Sequence, residues 1–124
     1  MKSKAPISED ASAITSDELF EMANLYPRTT GLPMTVWVGP RGHARHDVRV
    51  KVNMAHGNQM NVDNTAIVGI RPQPHMIAGR LSSEDQRLVF EWIKMNAGAV
   101  IDYWEGTIDT LELVQALKRL PTSP

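Results

Sequence analysis

With 124 residues, 42% of them apolar and 22% charged, the chain suits one domain that buries roughly two thirds of its unfolded surface. It contains no Cys, which excludes disulfides and thiolate metal sites. No apolar run approaches the ~18 residues that cross a bilayer, and the opening MKSKAPISED lacks a signal peptide's apolar stretch, so a cytoplasmic protein without membrane contact is expected.

The net charge of −1 hides a segregation along the chain. Residues 1–26 carry two Lys and five acids, a balance of −3. Residues 27–80 carry seven bases and only Asp47 and Asp63, a balance of +5, and hold all four His. Residues 81–124 return to −3. A basic middle between acidic flanks favours an anionic partner, or faces that neutralise each other within the fold or a homo-oligomer.

Residues 1–13 have no apolar period and read as a disordered tail, leaving 14–124 as a single domain. Thr15 with Glu18 has the capping-box form, and Leu19, Phe20, Met22 and Ala23 follow at helical spacing, which predicts a short helix near 16–25. Pro27 to Pro33 reads as a loop. From Met34 the period changes to two. Met34 to Val38 is the first predicted strand, and Gly39-Pro40-Arg41-Gly42 is its turn. Arg45 to Asn53 alternates most cleanly: His46, Val48, Val50 and Val52 share one face, and Arg45, Asp47, Arg49 and Lys51 share the other. The valine side belongs to a core, so the cationic side is expected to meet solvent or a ligand. Asn64 to Ile70 is a third strand and His75 to Ala78 a short fourth, at an edge because Pro72 and Pro74 precede it. Short connections favour an antiparallel meander.

The last third is helical. Ser82 or Ser83 caps a helix whose Leu88, Val89, Trp92, Ile93, Val100, Tyr103 and Trp104 recur at three and four, giving about five to six turns before Gly106. Gly98 invites a break near Asn96 to Gly98. Asp109 with Glu112 caps a final short helix that carries Leu111, Val114, Leu117 and Leu120 and is stopped by Pro121. The expected fold class is therefore α+β: a three- to four-stranded antiparallel sheet packed by the long C-terminal amphipathic helix, with short N- and C-terminal helices.

Arg87-Leu88-Val89-Phe90-Glu91-Trp92-Ile93, followed by Asp102-Tyr103-Trp104-Glu105-Gly106 and preceded by the basic strand-rich half, resembles small bacterial proteins grouped as domain of unknown function 4160 over roughly residues 34–120. The resemblance implies the same element order and, for some members, pairing with a small partner protein in a toxin–antitoxin-like arrangement. Members show His-Phe-His-Val at the second strand where this chain has Arg45-His46-Asp47-Val48, so one or both of those imidazoles is missing.

Two functional constellations compete. Arg45, Arg49 and Lys51 in a row, with Arg41 in the preceding turn and Arg71 beyond the third strand, form a basic binding surface for a protein partner or nucleic acid. Alternatively, His43 and His46 as proton carriers, with Arg45 and Arg49 stabilising a phosphorane, suit a metal-independent ribonuclease-like toxin. No metal is expected, because strand positions three apart, such as His43 and His46, point to opposite faces and only Asp47 and Asp63 lie near enough in sequence to help. No cofactor is expected either: Gly39 to Gly42 lacks the Lys-Ser/Thr ending of a phosphate-binding loop. Trp92, Tyr103 and Trp104 fall on the core stripe of the helix. The leading expectation is a noncatalytic binding or regulatory module.

Overall fold

A computed structural model describes residues 22–121. The expected tail over 1–13, the Thr15–Glu18 cap and the helix over 16–21 lie outside the described residues. Five strands form one antiparallel sheet in chain order: β1 (Ala23–Leu25), β2 (Met34–Val38), β3 (Arg49–His56), β4 (Thr65–Gly69) and β5 (His75–Ala78). A one-turn helix α1 (Pro27–Thr30) joins β1 to β2, and α2 (Ser83–Trp104) and α3 (Thr110–Ala116) follow the sheet. The α+β class, the meander and the long helix are as the sequence indicates; the strand number is higher.

The additional strand is β1, which pairs with β2 in the register Ala23 to Val38 and Leu25 to Val36. The helical spacing that ran through Ala23 is therefore corrected: Ala23 and Leu25 are buried in a strand whose alternation is only three residues long. The expected loop after it contains α1, where Pro27 sits in the first turn and lacks only an N–H the helix would not use. Gly31 closes that turn at φ 83°, a left-handed backbone natural to glycine, and its N–H donates to the Pro27 carbonyl at 2.8 Å.

One face of the sheet carries Met34, Val36 and Val38 of β2, Val50 and Val52 of β3, and Ala66 and Val68 of β4, all at or near zero exposure. They join Val89, Trp92, Ile93 and Val100 of α2 and Leu113 of α3 in one apolar cluster. At about 25 cal/mol per Å² of apolar surface, each fully buried Val or Ile there stabilises by about 1.5–3 kcal/mol relative to exposure. Ser82 caps α2 by accepting from the Asp85 N–H at 3.1 Å, with Glu84 and Asp85 in the first turn where the helix dipole favours them.

The helix is unbroken at Gly98. Asn96 remains helical because its side chain makes a long-range clamp: Nδ2 donates to the Trp92 carbonyl (2.9 Å) and to the Lys118 carbonyl (3.0 Å), while Oδ1 accepts from the Lys118 N–H (2.7 Å). This clamp turns residues 117–120 into a strap, and α3 ends at Ala116, ahead of Pro121. Leu120 then donates to the Thr30 carbonyl at 2.8 Å and lies against Gly31. The expected apolar stripe of the last helix shifts accordingly. Leu113 is buried, and Leu111 and Val114 face outward.

Candidate functional site

Strand β3 begins at Arg49, four residues later than the alternation implies, and runs to His56. Residues 39–48 form an irregular loop. The Ala44 N–H donates to the Arg41 carbonyl at 2.8 Å, and the His46 Nδ1 lies 2.8 Å from the Asp47 carbonyl oxygen. Asp47 is drawn out of the strand by Arg71, whose Nε lies 2.9 Å and 3.1 Å from the two carboxylate oxygens and whose Nη2 lies 2.7 Å from Oδ1. Alternation persists at Val48, which stays buried, but Arg45 is not part of a strand row.

The cationic row is corrected further along. Lys51 is buried at 5% exposure and Arg49 is half-buried, and neither is without a partner. The physical reason is that the sheet is covered on both faces at its centre. Lys51 lies in register with Trp37 of β2 and Ile67 of β4, and both of those side chains have zero exposure.

Arg41 and Arg71 converge at one end of the sheet, where the β2–β3 loop, the β4–β5 loop and the C-terminus of α2 meet. The Arg41 N–H donates to the Trp104 carbonyl at 2.8 Å, which fixes the loop to the end of the helix. Arg41 and Arg71 both lie over the Trp104 ring, with guanidinium carbons 5.2 Å and 5.9 Å from its centroid. Glu105 stands 3.9 Å from Arg41 and 3.8 Å from Arg71. Cations here complement the negative end of the helix dipole and the ring's π face, so the cluster is held by geometry that needs no ligand. It nonetheless leaves donors over. Arg71 spends its fork on Asp47, whereas Arg41 is 58% exposed at the side chain, and Arg45 is exposed and makes no ion pair among the described residues. The hydrogen bonds from Arg71 hold the Asp47 carboxyl below its ordinary value, and Asp47 in turn raises the Arg71 guanidinium.

The four histidines do not form one group. His43 and His46 share the loop with Arg45. His56 lies at the opposite end of β3, with Nε2 2.8 Å from the Asp85 carboxylate at the start of α2. His75 opens β5, its Nδ1 2.8 Å from the Gln73 carbonyl oxygen and its ring against Gly69. Among the described residues no group of three or more His, Asp or Glu side chains is placed to hold a metal ion, and no helix is long and apolar enough to cross a membrane.

Trp104 and Glu105 are the site residues that sequence reasoning passed over. Their heptad-like spacing assigned Trp104 to the core, which is correct for most of its surface at 6% exposure. Only the adjacency of an aromatic and an acid at the helix end, before Gly106, hinted at a platform for cations. Comparison with family models, curated proteins and solved structures returned no match to this chain. The functional argument therefore rests on the site itself.

Proposed function

We propose that the protein is a noncatalytic binding module, and that the end of the sheet formed by Arg41, Arg45 and Arg71 receives an acidic segment of a protein partner. The observation that carries this reading is Arg41: a guanidinium held over Trp104, 58% exposed, whose one ion pair among the described residues is a 3.9 Å contact to Glu105. A stacked, oriented guanidinium presents its fork to a carboxylate in two parallel hydrogen bonds and loses little rotamer freedom in doing so. Arg45, exposed in the same loop, adds a second cation, and His43 and His46 flank it.

A compact cluster favours a short acidic segment over a nucleic-acid backbone. Tracking a strand of phosphates takes a row of cations, and the row expected along β3 is interrupted where Lys51 turns inward. Aromatic stacking for bases is equally scarce, since Trp104 already lies beneath two guanidinium groups.

The test uses a fluorescein-labelled oligoglutamate peptide and a labelled single-stranded RNA of equal length, with anisotropy read over a salt series. The peptide is expected to bind the full chain, to weaken as salt rises, and to lose affinity at least tenfold in Arg41→Glu/Arg45→Glu. Arg28→Glu, at a cation stacked on Tyr26 in α1, should leave binding unchanged. Equal peptide affinity in the double variant would overturn the site. RNA bound more tightly than peptide would move the reading to nucleic acid, and RNA cut in a manner dependent on His43 or His46 would move it to the ribonuclease-like alternative.

A further inference from the structure

The corner proposed above as a binding site already contains carboxylates of its own. Arg41 and Arg71 over the Trp104 ring are faced by Glu105 and Asp47, two cations against two anions, so an acidic segment arriving there meets little net charge beyond Arg45. The two carboxylates are held differently. Glu105 lies 3.9 Å and 3.8 Å from the guanidinium groups, too far for hydrogen bonds, and its backbone is fixed at the end of α2, where its N–H donates to the Ile101 carbonyl at 2.8 Å. Asp47 takes the fork itself: its oxygens accept from Arg71 Nε at 3.1 Å and 2.9 Å, and Oδ1 accepts from Nη2 at 2.7 Å. It does so from the irregular stretch ahead of β3, outside the ladder that holds Val50 and Val52. The pair is exposed, 41% at the Arg71 side chain and 52% at that of Asp47. Water and salt screen such a pair, so opening it costs little.

We infer that Asp47 is an internal stand-in for the partner's carboxylate and is displaced from Arg71 when an acidic segment docks. On the binding function proposed above, on which this rests, Arg71 becomes the anchor beside Arg41, and Asp47 sets the affinity. Turning the Asp47 side chain away empties the fork and disturbs no strand hydrogen bond, because β3 begins only at Arg49. Arg71 does not depend on Asp47 for its place. Its guanidinium carbon lies 5.9 Å from the Trp104 centroid, and Glu105 stands beside it, so the vacated fork stays over the ring. Donors ordered in advance lose little freedom on binding. With Asp47 turned away, two guanidinium forks share one indole, and the ligand they fit is a segment with neighbouring carboxylates. The arrangement Asp47 adopts shows the chemistry selected: a planar carboxylate meets the fork in parallel hydrogen bonds. Glu105, fixed by the helix end and outside hydrogen-bond reach, is not the group displaced.

Anisotropy of the fluorescein-labelled oligoglutamate peptide is read on the full chain, on Asp47→Ala, on Arg71→Gln and on the double variant. Loss of a competing, screened surface pair should tighten the peptide roughly threefold in Asp47→Ala. The gain should vanish when Asp47→Ala is made in the Arg71→Gln background, because Asp47 acts through that fork. A gain of equal size there would assign the effect to charge alone and overturn the inference. So would unchanged or weaker binding in Asp47→Ala, the result expected of a pair that only braces the loop. Peptide bound by neither the parent nor Asp47→Ala would overturn the binding function as well, whereas peptide bound by Asp47→Ala alone would support both. Should a variant lose its circular dichroism, the unsubstituted chain decides: its Arg71 ¹⁵Nε signal, assigned by Arg71→Lys, should move as peptide saturates the site, and a signal that stays fixed while peptide binds would overturn the displacement.

Discussion

Replacing Asn96 by Ala removes the clamp between the middle of α2 and the C-terminal strap. Asn96 is 2% exposed and makes two bonds to the Lys118 peptide unit, at 2.7 Å and 3.0 Å, besides one to its own helix. Each hydrogen bond of this kind contributes about 0.5–1.5 kcal/mol net, so losing both from the strap costs about 1–3 kcal/mol. Ala is a better helix former than Asn by about half a kcal/mol, which offsets part of the loss. A net destabilisation of about 1.5 kcal/mol remains, equivalent to a fall in Tm of roughly 6 °C for a domain of this size. Urea unfolding followed by Trp fluorescence should show a lower midpoint at unchanged slope. Native-state hydrogen exchange should show the Leu120 amide, which donates to Thr30, losing protection before the amides of β3. A midpoint within about 0.5 kcal/mol of the parent, with Leu120 still protected, would refute the reasoning, since the strap would then be held by its bonds to α1 without the clamp.

Gly31→Ala should be more damaging. Its φ of 83° disfavours any other residue, and a Cβ would collide with the Leu120 carbonyl oxygen, so a loss of at least ~2 kcal/mol is expected in thermal unfolding. Asp109→Ala removes a capping box in which the Glu112 N–H donates to Asp109 and the Asp109 N–H to Glu112, both at 2.8 Å; about 1 kcal/mol should be lost, read as faster exchange in α3. Asp47→Asn should lower Tm by a small amount at pH 7, because the pair with Arg71 is exposed and solvent screens it. Asp47 is held below its ordinary carboxyl value in the folded protein, so its contribution is fully present above pH ~4 and fades as pH falls through the lowered folded value. Parent and variant melting curves should therefore converge in acid; a gap that widened there would reverse the sign.

What could be read from the letters followed from burial on one side. Val48, Val50 and Val52 announced a core face because isolated alternating valines have few other uses, and Trp92 and Ile93 announced the helix stripe that covers it. Polar residues carry no such signal. Lys51, Asn53, Thr35 and Thr65 spell a wetted face, yet they are buried, since a polar side chain goes inside whenever partners meet it there; the Thr35 hydroxyl, for one, finds its acceptor at Gly57, 22 residues on. The same blindness made Asn96 and Gly98 resemble a helix break, when Asn96 in fact reaches a peptide group 22 residues away. At the site, Arg41 and Arg71 were legible as cations, but their convergence on Trp104 depends on how three separate chain segments end at one corner.

The bond from Leu120 to Thr30, and that from the Arg119 Nε to the Arg28 carbonyl at 3.1 Å, join parts of the chain about ninety residues apart. The four-strand meander from β2 to β5 is assembled from near neighbours and is available early during synthesis. Its β1–α1 corner is latched only after residue 120 has left the ribosome, at a few residues per second. Until then a nascent chain presents a sheet with one unlocked border, and at that moment chaperone capture, or strand exchange with a neighbouring polypeptide, has its opening.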